Sequence, residues 1–238
     1  MRVLFTSIAI SVALTPLIRA QEESASPEEK ANPYPEVPKE YEVGEDTISP
    51  DGHFAILFAV RDENSNERSM LPNVLVRLKP YAVLKEIETG NGVTWKGGRG
   101  AVEAKWNGND WVAVWRHMKW GNEDLVVYEL ANDKVKREEK IWPEVVKYFD
   151  RDWKTRFLQK YPKEADDHYT FRADDPDLKN FEFKGDTLLL DIQAENKPNL
   201  ASGPVWSAEL RAVWDLDKAK FDKVDFMPGE ISIRKPEE

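Results

Sequence analysis

The apolar and polar positions of the chain fall into three similar stretches, each a polar tight turn leading straight into an apolar run. The first is Ser49-Pro50-Asp51-Gly52 followed by Phe54 to Val60. The second is Trp106-Asn107-Gly108-Asn109-Asp110 followed by Trp111 to Trp115. The third is Phe183-Lys184-Gly185-Asp186 followed by Thr187 to Ile192. Proline at the second position and glycine at the fourth suit the first of these to a type I turn. Short apolar or alternating runs bounded by such turns predict strands. Further strands are predicted at 74–78 and 83–88, the latter charged enough to lie at a sheet edge. In the second stretch 102–106 alternates as a half-buried strand does, and 125–130 pairs with 135–138 across Ala131-Asn132-Asp133. In the third, 181–183 precedes the turn, and a last hairpin joins 209–214 to 220–226 across 215–218.

Between the second and third stretches the period changes. Trp142, Val145, Val146, Phe149, Trp153 and Phe157 recur three or four apart and mark one face of a helix. Pro143 suits its first turn and Pro162 stops it, placing an amphipathic helix at about 143–160. Residues 163–180 are acidic and turn-rich, and 227–238 have little to bury beyond Ile231 and Ile233. The predicted class is mainly β: three antiparallel β-meanders with one amphipathic helix inserted between the second and third, as an incomplete propeller or a sandwich.

The amino-terminal region reads differently. Met1-Arg2 is a short positive start, Val3 to Leu14 is almost wholly apolar, and Ile18-Arg19-Ala20 offers a cleavage site before Gln21. This is the pattern of a secretory signal over 1–20. The apolar run is short for a bilayer span, so no stable membrane span is expected once it is removed. Residues 21–40 are rich in Glu, Pro and Ser, bury too little to offset ordering entropy, and read as a linker, the alternative being a short polyproline-like strap lying on the domain. The expected layout is therefore signal 1–20, linker 21–40 and a single β-rich domain 41–238.

Ile48-Ser49-Pro50-Asp51-Gly52-His53-Phe54-Ala55 resembles the opening of a blade in the TolB-type, WD40-like propeller repeat. Glu88-Thr89-Gly90 lies where such blades carry a Thr-Gly. Lys105 to Trp111 is a degraded second copy, and the third keeps Gly185-Asp186. The resemblance implies four-stranded blades and a hydrogen-bonding, structural role for Asp51. Propellers generally have four blades or more, whereas three copies are present here, and turn glycines 52, 108 and 185 are unevenly spaced. The layout is also similar to that of small secreted bacterial proteins of unknown function.

Charge and composition narrow the function. With 34 Lys and Arg against 44 Asp and Glu, the net charge is −10. That balance speaks against nucleic acid, which needs a basic surface to displace counterions. There is no cysteine, which removes thiol catalysis, zinc–thiolate sites, disulfides and lipidation after the apolar run. Glycines 90, 92, 97, 98 and 100 suggest a phosphate loop, but the following 101–106 reads as a strand and not as the helix such a loop needs. His53, His117 and His168 show no metal spacing, and no cofactor is expected. Glu164, Asp166, Asp167, Asp174, Asp175 and Asp177 are oxygen ligands without an EF-hand spacing.

Nine tryptophans remain. Six of them, Trp106, Trp111, Trp115, Trp142, Trp153 and Trp214, fall in periodic segments and are expected in the core. Trp95, Trp120 and Trp206 fall in loop contexts and are the candidates for exposed stacking on sugar rings, with His117 near Trp115, Arg116 and Trp120. The expected function is a secreted or periplasmic, non-enzymatic binding or interaction domain, whose partner is an envelope protein or polysaccharide. The alternatives are a carbohydrate-binding module or a polysaccharide-active enzyme.

Overall fold

Each of the three stretches folds into an antiparallel sheet, of four strands in the first two and five in the third. The computed structural model of the chain describes residues 33–60, 71–87, 100–118, 124–164, 168–172, 181–196 and 203–234. The expected signal, most of the linker, the glycine-rich segment up to 99 and most of the acidic run after Glu164 lie outside the described residues. In the first sheet β1 (Tyr41–Val43), β2 (Phe54–Ala59), β3 (Asn73–Leu78) and β4 (Tyr81–Ile87) lie side by side in chain order. The second sheet orders β5 (Gly100–Asn107), β6 (Trp111–Met118), β7 (Asp124–Ala131) and β8 (Lys134–Lys140). The last third of the chain supplies β9 (Tyr169–Arg172), β10 (Phe181–Lys184), β11 (Thr187–Asn196), β12 (Gly203–Val205), β13 (Ser207–Asp215), β14 (Lys220–Pro228) and β15 (Ser232–Arg234). The third sheet runs β10-β11-β13-β14, β9 continues along the β10 edge of β11, and β12 pairs with β15 as a separate ribbon.

The turn chemistry explains the repetition. Gly52, Gly108 and Gly185 sit at φ 71°, 58° and 55°, a left-handed conformation that a side chain disfavours. Just after each glycine the chain makes the same long-range bond: the backbone N–H groups of Leu78, Leu130 and Leu216 donate to the carbonyls of His53, Asp110 and Asp186. All three leucines are buried. In the first sheet Ser49 accepts the His53 and Phe54 amides on its hydroxyl, which itself donates to Asp51 at 2.6 Å. Asp51 is thus a turn-building residue. Burial works against its charged form, but the Ser49 hydroxyl and the His53 amide outweigh it and hold the carboxyl below its ordinary value.

The sheets pack as a fan. Phe54, Ile56, Phe58 and Leu75 meet Val112, Val114, Val126, Tyr128 and Leu130 between the first and second sheets. The opposite face of the second sheet, with Ala113, Trp115, Leu125 and Val127, meets the third sheet and the helix. The inner edges stay close: Trp106 Nε1 donates to the Thr47 carbonyl, Lys105 Nζ to Phe181 O and Asn107 Nδ2 to Gly185 O. Further out, α1 (Trp142–Asp152) fills the widening gap between the second and third sheets. A π-helical turn, Trp153–Phe157, and Leu158–Lys160 continue it. Its apolar face buries Trp142, Val145, Phe149, Trp153 and Phe157, and each fully buried large side chain contributes about 1.5–3 kcal/mol.

Two boundaries differ from expectation. The packed body starts at Tyr34, not at residue 41. Val37 is buried against Ala55, Leu57, Val74, Val76 and Leu78, the Glu36 carboxylate accepts the Tyr81 amide, and the Lys79 ammonium lies over the Tyr34 ring. Residues 34–40 therefore cover the outer face of the first sheet as a strap that leads into its edge strand β1. Second, β9 arises within 163–180, where only turns were expected; Phe171 and Tyr169 turn into the aromatic cluster around Phe149 and Trp153.

Candidate functional site

A cleft of about 280 Å³ opens between the first and second sheets, at the end where β4 finishes with Ile87 and β7 begins with Asp124. The alternation of β6 and β7 builds it. Val112 and Val114 on β6, and Leu130, Tyr128 and Val126 on β7, point at the first sheet and form the apolar interface. One step further along the same face the residues are Arg116 and Asp124, directly opposite each other in register. There the apolar interface gives way to charge. Ile87, Val114 and Val126 remain as the apolar lining, and Lys85, Arg116, Asp124, Glu138 and Lys140 bring charges of both signs, while Glu86, opposite Val74, turns its side chain to the outer face of the first sheet near Tyr41.

The charges are held at different depths. Arg116 and Asp124 have side chains only 10% and 24% exposed, with Nη2 and Oδ2 3.8 Å apart. That exceeds hydrogen-bond length. At the mouth, Lys85 on the edge strand β4 pairs with Glu138 on the edge strand β8 at 2.6 Å, an ion pair that crosses from sheet to sheet. Glu86 and Lys140 are exposed. The arrangement offers donors and acceptors side by side over an apolar base. Its sequence signal is the register of Arg116 and Asp124, two opposite charges ending two runs that are otherwise apolar on the same face.

The residues expected to bind ligand fare separately. Trp206 is a correction: expected exposed, it is fully buried. Its indole donates to Asp152 Oδ2 at 2.8 Å, its amide donates to Asn196 Oδ1, and its ring meets Trp153 and Tyr169. It holds no ligand at the surface. Trp95 and Trp120 lie outside the described residues. His117 is on β6, paired with Ala101. Of the tryptophans expected in the core, Trp115, Trp142, Trp153 and Trp214 are buried, whereas Trp106 on the edge strand β5 and Trp111 at the start of β6 are half-buried, Trp111 under the Arg137 guanidinium.

Two further polar clusters are structural in character. His53 Nε2 and Arg77 Nη1 converge on the carboxylate of Asp133 at 3.1 and 2.6 Å, tying the first sheet to the β7–β8 turn of the second. The His53 and Arg77 hydrogen bonds hold the Asp133 carboxyl below its ordinary value. On the helix, Tyr169 donates to Asp150 at 2.6 Å. Burial, and then that carboxylate, push the tyrosine hydroxyl well above its ordinary range. No group of three metal-ligating side chains occurs among the described residues, and no helix there is long and apolar enough to cross a membrane. His168 is exposed ahead of β9.

No protein-family model, no curated protein and no solved structure matches the chain.

Proposed function

We propose that the protein is a non-enzymatic binding domain that works outside the cytoplasm and seats its ligand in the cleft between the first and second sheets. The observation that carries this is the cleft's chemistry: a largely buried arginine and aspartate, in register on neighbouring strands, above an apolar base. Concave sites with an apolar lining and a few convergent polar groups are the usual form of small-ligand sites. The amino-terminal signal pattern supports export. The three Gly-turn meanders, with their recurring leucine amide bond, support the likeness to propeller blades.

The test is a thermal-shift screen of the purified protein against sugars, amino acids, short peptides and envelope polymers, repeated with Arg116→Gln. A ligand that raises the melting temperature of the wild type and leaves the variant unmoved supports the proposal. A ligand whose effect is the same on both, or a panel without any effect, overturns it. Turnover of a bound polymer that is abolished by one carboxylate substitution overturns its non-enzymatic part.

A further inference from the structure

Both acids that face the cleft are held by cations. Asp124 lies opposite Arg116 in register, its Oδ2 3.8 Å from Nη2, and Glu138 pairs with Lys85 at 2.6 Å. Each pair cancels its own charge locally. Lys140 has no such partner. It stands two residues beyond Glu138 on β8, opposite Val126, so its side chain turns to the first sheet and lines the cleft. It is exposed and makes no ion pair among the described residues. Glu86 on β4 faces the other side of its sheet. The cleft therefore carries one cation in excess, although the chain as a whole carries a net charge of −10.

That excess sets the sign of what fits. A cationic ligand meets Lys140 and finds each acid of the cleft already engaged. A neutral ligand leaves the Lys140 charge unmatched. A single carboxylate matches it, through hydrogen bonds that are stronger than those between neutral groups. We infer, on the footing that the cleft is the ligand site, that its ligand is a small apolar monocarboxylate, with the carboxylate between the Lys140 and Lys85 ammonium groups and the apolar body on Ile87, Val114 and Val126. An ammonium has three donors, so Lys85 serves Glu138 and a second acceptor together. Glu138, which draws Lys85 in, and Lys140 are two residues apart on one strand face, about 7 Å, a gap that a carboxylate spans with one oxygen to each ammonium. The volume of about 280 Å³ is at the small end for ligand sites, which favours a short acid over a long-chain one. A free short-chain acid and the carboxyl terminus of a peptide ending in an apolar residue both offer this chemistry.

The experiment is an NMR titration of the purified, ¹⁵N-labelled protein with hexanoate, N-acetylleucine, hexanamide and hexylamine, at about 50 and about 500 mM NaCl. The expected result is that one or both acids shift the amides of Ile87, Val114 and Val126 and bind at least about fivefold more tightly than the amide and the amine. The tighter of the two acids names the source, a free acid or a peptide end. High salt should weaken the acid about threefold. Lys140→Met should weaken it about fivefold and leave hexanamide unchanged, and Lys140→Glu should turn the preference to hexylamine. Lys140 is exposed, so both substitutions leave the packed interface intact.

Hexanamide or hexylamine shifting the same amides as strongly as the acids, or acid binding unchanged in Lys140→Met, overturns the inference and leaves the cleft as the ligand site. Acid binding that leaves the cleft amides unmoved overturns both. The absence of binding by either acid overturns the inference alone.

Discussion

Asp152 gives the sharpest test of how the third sheet is attached to the helix. It is 7% exposed at the last position of α1. One carboxylate oxygen accepts the Trp206 indole N–H at 2.8 Å, and both are 3.2 Å from Arg156 Nη1. Arg156 in turn donates through Nη2 to the Gly229 carbonyl. Asp152→Ala removes a hydrogen bond to a charged acceptor, worth about 1.5–3 kcal/mol, and leaves an indole N–H unsatisfied in the core, at a cost of about 1–3 kcal/mol. Arg156 is 39% exposed and recovers water, so its loss adds little. Relief of the buried carboxylate's own desolvation offsets part of the sum. The net expectation is about 3 kcal/mol of destabilisation. With a urea slope of about 2 kcal/mol/M, the unfolding midpoint drops by roughly 1.5 M. Asp152→Asn keeps an acceptor for the indole and should cost only about 1 kcal/mol. The assay is urea unfolding followed by tryptophan fluorescence. A midpoint for Asp152→Ala close to that of the wild type would refute the reasoning. So would an Asn variant as unstable as the Ala variant, which would place the energy in the charge pair with Arg156.

Other consequences follow from the same geometry. Gly185→Ala meets no neighbouring atom and should cost only the left-handed backbone penalty, about 1 kcal/mol, whereas a Cβ at Gly229 would lie 2.5 Å from the Ser207 carbonyl oxygen and should cost clearly more; paired melting curves compare the two. Val37→Asp should lift the strap from the first sheet, expose the apolar face of Leu57, Val76 and Leu78, and cause aggregation detectable by light scattering. Asp133 has a carboxyl held below its ordinary value by His53 and Arg77. A depressed folded pKa contributes stability that is present above the unfolded value, near 3.9, and is lost as pH falls through the folded one. Asp133→Asn should therefore flatten the fall in melting temperature below about pH 4; an unchanged acid limb would count against the cluster.

The three turns and the helix were legible because their signals are local. A glycine required at positive φ and an apolar repeat of three to four residues do not depend on distant partners, and the β7–β8 hairpin was legible from Asn132-Asp133, both left-handed in the structure. What escaped depends on residues far apart in the chain. Trp206 follows Ser202-Gly203-Pro204-Val205, a turn-rich context that reads as a loop, and its indole is held in the core by Asp152, 54 residues earlier. Val37 lies among prolines and glutamates, and is buried only because β2 and β3 present a flat apolar face to it. The cleft escaped for the same reason: Arg116 and Asp124 become a site only when the first sheet is laid over them.

The two outermost faces of the fan explain why its sheets stop stacking. In the interior, each sheet turns apolar side chains to its neighbour on both faces where it has one, as the second sheet does with Val112, Val114 and Val126 on one side and Ala113, Trp115 and Val127 on the other. The first sheet has an equally apolar outer face, but the strap occupies it. The third sheet needs no strap. Its inward positions Leu188, Leu190, Ile192, Leu210, Ala212 and Trp214 are buried, while the alternate positions include Asp191, Glu209 and Arg211, with Arg211 paired to both acids. Burying these ions under another sheet would cost several kcal/mol each before any gain from contact. Among the described residues, a covering segment lies on the outer face at one end and a charged row on the outer face at the other. The first two sheets leave a cleft at one end of their interface. Their interface is apolar only as far as Val114 and Val126, and the charged row beyond them is kept partly open to water.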